Sequence, residues 1–124
     1  MMNGVIFDFN GTLYDDTDFQ EAAWAVMFEK YKHRKIGPTE FQDHFHGLTN
    51  ADISSYFLGS DPDPKVWKKI YDDKEETYRR LCRENRSRVH FVKGVIPMFD
   101  DLTRLKIPFA IATASEITNV DFYF

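Results

Sequence analysis

The sequence predicts an α/β protein in which a parallel-sheet core carries an inserted block of helices. Two apolar runs have the length and composition of short buried strands, residues 4–9 (GVIFDF) and residues 107–113 (IPFAIAT). Residues 10–106, 97 in all, separate these runs, although a parallel crossover requires only one helix. We therefore expect a mostly helical chain with a Rossmann-like core of residues 1–15 and 91–124 and a helical domain of residues 16–90.

The composition is that of a folded domain. The 124 residues are 43% hydrophobic and 16% aromatic, which argues against disorder. The 16 basic and 20 acidic side chains leave a net charge of −4, so a nucleic-acid partner is disfavoured. The apolar start of the chain is interrupted at Asp8, and Cys82 is the single cysteine. We expect a soluble cytoplasmic protein without a membrane partner, and the oligomeric state stays open.

The first helix of the insertion is predicted to follow residues 15–18 (DDTD), whose side chains can cap its amino terminus. Its apolar positions recur at helical spacing, and Gly37 with Pro38 is expected to end it. The residues of this stripe are Phe19, Ala22, Ala23, Val26, Met27 and Tyr31, with Trp24 and Phe28 widening it.

Three further helices are predicted in the insertion. A short one carries Phe41 and Phe45, and another begins near Thr49. The longest follows Asp63 and Pro64, a capping residue and a favourable first helical residue. Lys74 falls on the apolar stripe of this helix, so its side chain either snorkels to solvent or points into a cleft.

The segment most indicative of chemistry is DFNGTL, residues 8–13, at the end of the first predicted strand. An acidic residue at the carboxyl end of a parallel strand, followed by a glycine turn, is a common location of α/β sites. The alternative is that Asp8 and Asn10 only form the turn. A calcium loop of the EF-hand type is excluded, because its glycine and glutamate positions are Leu13 and Phe19.

Residues 5–13 (VIFDFNGTL) resemble the first motif of the haloacid dehalogenase (HAD) superfamily. They most resemble the branch that includes β-phosphoglucomutase and phosphoglycolate phosphatase-like enzymes, in which a helical cap follows this motif. Residues 111–115 (IATAS) are similar to the second motif, a hydrophobic strand that ends in Thr or Ser. The resemblance implies a HAD-like core, incomplete at its carboxyl end, with an inserted helical cap.

The resemblance also implies a mechanism and a site. Asp8 matches the nucleophile that forms an aspartyl-phosphate with a small phosphorylated metabolite, and water then hydrolyses this intermediate. Mg²⁺ is expected on the Asp8 carboxylate and the Asn10 backbone carbonyl. The phosphoryl oxygens are expected on Phe9, Asn10, Thr113 and Ala114, through backbone N–H groups and the Thr113 hydroxyl.

Asn10 departs from the family pattern. The resemblance places a second aspartate here, which acts as general acid and then as general base, and asparagine cannot transfer that proton. Three explanations stay open. Asn10 is a natural variant with altered or slow chemistry, it is an engineered inactivating substitution, or deamidation before Gly11 restores an aspartate.

Four more positions match substrate-facing positions of the family, namely Gln20, Gly47, Lys74 and Ser115. The mutase branch has a histidine at the position of Gln20 and an arginine near Asn50, whereas it shares the lysine at 74. A mutase must hold a second phosphate with positive charge, so these differences favour a phosphatase.

Three functions are therefore compatible with the sequence. The leading one is a Mg²⁺-dependent phosphohydrolase, and the alternatives are a phosphosugar mutase and a non-catalytic HAD-fold binding protein. The family normally has a further lysine and acidic residues after the second motif. The given sequence ends at Phe124, too soon after that motif to contain them. We expect this chain to be the amino-terminal portion of a longer protein, and we expect the portion given by this sequence to be inactive by itself.

Overall fold

The computed structural model describes residues 3–124. They form two compact units, one of residues up to Asp18 together with Cys82–Phe124 and the other of Phe19–Leu81. Within the described residues, no helix combines the length and hydrophobicity that crossing a membrane requires.

The first unit contains the predicted parallel pair of strands. Strand β1 (Val5–Phe7) pairs in parallel with the last strand, β4 (Phe109–Ile111), and Phe7 lies opposite Ile111. Helix α5 (Val95–Arg104) precedes β4, and the Phe99 ring lies 5.9 Å from the Phe7 ring. The predicted α/β class with a parallel sheet is confirmed.

The strands are less buried than the sequence predicted. Side chains alternate between the two faces of a strand, so Phe7 packs towards α5 while Ile6 faces the other side. Ile6 is 75% exposed, because the packing described above covers one face of the pair, whereas the Phe109 ring lies on the covered face, 4.7 Å from that of Phe99. The expectation of a fully buried first strand is wrong for this reason.

A second, two-stranded sheet was not predicted. Strand β2 (Tyr14–Asp15) runs antiparallel to β3 (His90–Phe91), with Tyr14 opposite Phe91. Each strand has two residues, too few for a periodic pattern to show in the sequence. This two-stranded ribbon, β2 with β3, holds the turn after β1 against the segment before α5. The pairing continues beyond the strands, because the Val92 N–H donates a hydrogen bond to the Leu13 carbonyl at 2.9 Å.

Helix α6 (Ile117–Tyr123) completes an aromatic core in the first unit. Phe9 is 1% exposed, and its ring lies 5.1 Å from that of Tyr14 and 4.8 Å from that of Tyr123. Leu13 and Val95 are buried against it. Phe9, which lies between Asp8 and Asn10 in the sequence, therefore anchors the candidate site to the core of this unit.

The four helices predicted in the insertion are confirmed, as α1 (Thr17–Met27), α2 (Glu40–His44), α3 (Asn50–Leu58) and α4 (Pro64–Glu84). Thr49 caps α3, where its Oγ1 accepts from the Asp52 N–H at 3.2 Å. Asp63 Oδ1 accepts from the Lys65 N–H at 2.9 Å at the start of α4. These are the side-chain caps that helix termini require.

The first helix differs from its prediction in two respects. It continues as one π-helical segment, Phe28–Lys32, and ends at His33 in the left-handed region with φ 55°, before Gly37. Val26 is 37% exposed, whereas Trp24 and Phe28 lie at the centre of the core. The aromatic rings set which stripe is buried. The core of this unit comprises Trp24, Met27, Phe28, Phe41, Phe45, Ile53, Phe57 and Ile70.

Candidate active site

A tight turn follows β1 and shapes the candidate site. The Phe9 carbonyl accepts hydrogen bonds from the N–H groups of residues 12–14, at 2.8 to 3.1 Å. The Gly11 N–H donates to the Tyr14 carbonyl at 2.9 Å, and Gly11 has φ +71°, which favours glycine. The N–H groups of residues 11–14 thus bond within the chain. The Phe9 and Asn10 N–H groups, which we expected to hold phosphate, are not among these four.

Asp8 lies at the carboxyl end of β1 and is exposed. Its Oδ2 accepts a hydrogen bond from Thr12 Oγ1 at 3.1 Å, across the turn. A hydroxyl donor fixes the orientation of a carboxylate without removing its charge. Asp8 is therefore a solvent-accessible, oriented carboxylate, which is what a nucleophile or a metal ligand requires.

The end of β4 places a second group of polar residues beside this turn. Since Phe7 lies opposite Ile111, the residues after each strand meet at one edge of the sheet. Ser115 Oγ donates to Asn10 Oδ1 at 2.6 Å, and Thr113 Oγ1 lies 3.4 Å from the same oxygen. The Ser115 N–H donates to Thr113 Oγ1 at 3.1 Å. The structure thus brings Asn10, Thr113 and Ser115 together, and the exposed Ala114 lies between the last two.

The amide nitrogen of Asn10 faces two further residues. Its Nδ2 donates to Asp16 Oδ2 at 2.7 Å and to Tyr123 Oη at 2.8 Å. The Gly11 N–H donates to Asp16 Oδ1 at 3.2 Å, and Asp16 is 1% exposed. The environment matches an amide, with hydroxyl donors at its oxygen and a carboxylate at its nitrogen.

Sequence reasoning missed both residues that bind Nδ2. It treated Asp16 only as one of several capping residues, and it did not consider Tyr123. The run of residues 15–18 (DDTD) carries no signal that singles out Asp16, because all four side chains suit a helix start. Tyr123 lies 113 positions from Asn10, and a contact of that separation has no local signature.

A cavity of about 280 Å³ lies next to this network in the first unit. Burial, with smaller contributions from Cys82 and Asp16, raises the pKa of Tyr14 to about 12. Tyr14 therefore stays protonated at neutral pH and serves as a wall of the cavity. The lining residues are Tyr14, Cys82, Arg86, Val89, Phe122 and Tyr123.

Two of the predicted substrate-facing residues contact each other in the helical unit. Lys74 is 5% exposed, and its Nζ donates to Gln20 Oε1 at 2.5 Å and to Glu75 Oε1 at 2.9 Å. The same Nζ lies 5.6 Å from the centre of the Trp24 ring. The alternative that Lys74 snorkels to solvent is therefore wrong. Gly47 lies in the turn between α2 and α3 with φ +75°.

The oxygen atoms of the turn suit a hard cation. Among residues 3–124, no group of three or more His, Cys, Asp and Glu side chains could hold a metal ion. Mg²⁺ commonly takes one or two carboxylates, keeps several waters and binds substrate phosphate. The Asp8 carboxylate and the Asn10 backbone carbonyl fit that partial donor set.

Fold and site together define an α/β protein with a helical insertion and a polar site where two adjacent parallel strands end. The model of one family, the haloacid dehalogenase-like hydrolases, matches residues 5–122. The chain belongs to this family, as the two motifs predicted.

Solved structures share the fold of this chain. A HAD hydrolase of family IA, variant 3, from Entamoeba histolytica is 31% identical with a TM-score of 0.87, and the match covers 98% of this chain and 53% of that one. A CbbY mutant from Rhodobacter sphaeroides, in complex with xylulose-(1,5)bisphosphate, is 22% identical with a TM-score of 0.78, covering 98% and 55%. A HAD family hydrolase from Deinococcus radiodurans, with bound phosphate and sodium, is 19% identical with a TM-score of 0.62, covering 98% and 50%. The chain spans about half the length of these structures.

Proposed function

We propose that the protein is a Mg²⁺-dependent phosphohydrolase that acts on a small phosphorylated metabolite through an aspartyl-phosphate. The observation that carries this proposal is the exposed Asp8 carboxylate at the end of β1, oriented by Thr12 at 3.1 Å. The polar residues at the end of the neighbouring parallel strand support it. The helical unit Phe19–Leu81 then serves as the cap, within the predicted domain of residues 16–90.

Asp8 is the proposed nucleophile. One carboxylate oxygen forms a bond to phosphorus as the bond from phosphorus to the leaving oxygen breaks, and water later releases the phosphate. The Thr12 hydroxyl reduces the rotational freedom of the carboxylate, which brings it closer to the reacting geometry.

The phosphoryl oxygens are proposed to bind the N–H groups of Phe9, Asn10 and Ala114 and the Thr113 hydroxyl. The N–H groups of residues 11–14 bond within the turn and shape it for this purpose. The Asp8 carboxylate and the Asn10 carbonyl would hold Mg²⁺, which neutralises the charge between a carboxylate and a phosphate.

Asn10 lowers the expected rate. Its amide nitrogen donates hydrogen bonds to Asp16 and Tyr123. An amide group neither releases nor takes up a proton at neutral pH, so it cannot act as a general acid or base. Loss of general acid–base catalysis typically costs about 10²–10⁴-fold. The proposed activity is therefore slow, because neither protonation of the leaving oxygen nor deprotonation of the attacking water is assisted at position 10.

The ligands of two structural neighbours agree with a small phosphorylated substrate, one being a sugar bisphosphate and the other phosphate. A phosphosugar mutase is the second candidate, supported by Lys74, although its Nζ bonds to Gln20 and Glu75. A non-catalytic binding protein is the third, supported by the amide-matched surroundings of Asn10.

Phosphatase assays with p-nitrophenyl phosphate and Mg²⁺ test the proposal, using the longest natural form of the protein. The unmodified protein is compared with Asn10→Asp and Asp8→Ala. We expect slow turnover, acceleration in Asn10→Asp and no turnover in Asp8→Ala. Activity that survives Asp8→Ala would refute the aspartyl-phosphate mechanism.

Two outcomes favour the alternatives. Absence of turnover in both the unmodified protein and Asn10→Asp would favour the binding protein. Transfer of phosphate within a sugar phosphate, without release of inorganic phosphate, would favour the mutase.

A further inference from the structure

We propose that Asn10 is a self-modification site, at which the surrounding side chains promote deamidation of Asn10 to an aspartate. Asn10 precedes Gly11, which has no side chain to hinder attack by its backbone nitrogen. The inference is separate from the proposed hydrolase activity, because it concerns a covalent change in the chain itself.

Three kinds of assistance would accelerate this reaction. The Gly11 nitrogen attacks Asn10 Cγ and loses its proton, the carbonyl oxygen gains negative charge, and the Cγ–Nδ2 bond breaks to release ammonia. Water then adds to Cγ of the cyclic imide and breaks its bond to the Gly11 nitrogen, which gives aspartate and leaves the peptide bond intact, so the net reaction adds one water and releases one ammonia. A base near the attacking nitrogen, donors at the oxygen and an acid near the leaving nitrogen would each lower the barrier.

The Asp16 carboxylate contacts both nitrogens that take part. Oδ1 accepts from the Gly11 N–H at 3.2 Å, and Oδ2 accepts from Asn10 Nδ2 at 2.7 Å. The proton lost by the Gly11 nitrogen can therefore pass through this one carboxylate to the departing Nδ2. Asp16 is 1% exposed, so bulk water competes little for these contacts.

The carbonyl oxygen of Asn10 faces hydroxyl donors. Ser115 Oγ donates to Oδ1 at 2.6 Å, and Thr113 Oγ1 lies 3.4 Å away. Donors at this position polarise the carbonyl and stabilise the charge that develops on attack. Residues from the ends of both parallel strands and from the segment before α1 thus surround the reacting amide.

The product places a carboxylate at the half-buried position 10, two residues after the exposed Asp8. A carboxylate there can donate and accept a proton, which the amide cannot. The sequence encodes asparagine, and the folded protein would convert it into the residue type that acid–base chemistry needs.

The chain contains a matched internal control, because Asn3 and Gly4 form its other Asn–Gly pair. Asn3 is exposed and precedes β1. The first Lys or Arg is Lys30, so trypsin leaves both pairs in one peptide, residues 1–30. Tandem mass spectrometry of that peptide assigns the gain of about one dalton to either asparagine.

The experiment ages the folded protein and the urea-unfolded protein at one pH and compares the two sites. We expect Asn10 to convert about tenfold faster folded than unfolded, since partial acid–base assistance is expected here. Asn3 should convert at similar rates in both states. Conversion of folded Asn10 at or below the rate of Asn3 would overturn the proposal, because the hydrogen bonds would then protect the amide.

Two variants test the assisting groups. Asp16→Asn should slow conversion of Asn10 by about 10²-fold, while Asp15→Asn, an exposed neighbour with the same charge change, should not. Should Asp16→Asn fail to fold, Ser115→Ala is expected to slow conversion by about tenfold. Unchanged rates in folded variants would refute the assigned roles. Mass is the readout, so this result is independent of whether the protein hydrolyses phosphate esters.

Discussion

Lys74 Nζ lies 2.9 Å from Oε1 of Glu75 in the helical unit, and the two side chains are 6% and 5% exposed. The same Nζ donates to Gln20 at 2.5 Å. A buried charge requires a partner, because removing one member of such a pair leaves the other uncompensated in a low-dielectric environment. The lysine predicted to contact substrate is therefore also bound into the core of this unit.

Replacing Lys74 by methionine should destabilise the helical unit by about 3 kcal/mol, because the buried Glu75 then loses its ion pair with Lys74. The double variant Lys74→Met with Glu75→Gln should recover a large part of that loss. Urea unfolding of the four members of this cycle measures the coupling.

The exposed pair of Lys68 with Asp72 provides the control, since Lys68→Met should change the stability by less than about 0.5 kcal/mol. Equal effects of the two lysine substitutions would show that burial of Lys74 has no energetic consequence.

The pair formed by Asn10 and Asp16 predicts a swap experiment. Asn10→Asp places a carboxylate oxygen where Nδ2 now lies 2.7 Å from Asp16, and like charges at this distance repel. We expect a loss of about 1 to 3 kcal/mol in stability. Adding Asp16→Asn restores an amide opposite a carboxylate and should recover the stability in thermal unfolding.

Activity separates the two positions in the same set of variants. General acid–base chemistry at position 10 predicts acceleration in both Asn10→Asp and the swapped variant. Acceleration in the single variant alone would instead indicate that Asp16 takes part in the proton transfer.

Thr12 is predicted to affect catalysis through Asp8. Thr12→Val removes the hydroxyl that donates to Asp8 Oδ2 at 3.1 Å, and we expect kcat to fall about tenfold because the carboxylate is less well oriented. Steady-state kinetics with p-nitrophenyl phosphate measures this effect. Thr103→Val, on the exposed side of α5, is the matched control and should leave kcat unchanged. Equal kcat values for the two variants would contradict the role of Thr12.

Glu40 makes the helical unit sensitive to acid. Arg34 donates to both carboxylate oxygens of Glu40 at 2.8 and 2.7 Å, while the Gly37 N–H and Tyr56 Oη also donate to them. The guanidinium, and then the other donors, lower the pKa of Glu40 to about 2. Its ordinary value of 4.5 applies to the unfolded chain.

A lowered pKa in the folded state means that the unfolded state binds the proton more readily. The stability from Glu40 is therefore fully present above pH 4.5 and is lost as the pH falls towards 2. Glu40→Gln should cost about 1 to 2 kcal/mol at pH 7 and flatten the acid side of the stability curve. Denaturant unfolding across this range is the measurement, with the exposed Glu29→Gln as control. An unchanged acid slope in Glu40→Gln would contradict the prediction.

Local patterns predicted much of the fold. Helix periodicity and capping residues located α1 to α4, and the two apolar runs located β1 and β4. The ribbon formed by Tyr14–Asp15 and His90–Phe91 could not be predicted from the sequence, since two residues per strand are too few to show a periodic pattern. The end of the first helix was also misplaced, because His33 adopts a left-handed conformation ahead of the expected glycine.

The sequence by itself determined the family, the aspartate after the first strand and the departure at Asn10, because these depend on residue types at short fixed spacings. Only the tertiary structure decided what surrounds Asn10. Asp16 lies six residues away and Tyr123 lies 113 away, yet both bind one amide nitrogen. The parallel register brings Ser115 to the amide oxygen, 105 residues from Asn10 along the chain. Contacts of this kind depend on how strands and helices pack, and they cannot be predicted from the spacing of residues along the chain.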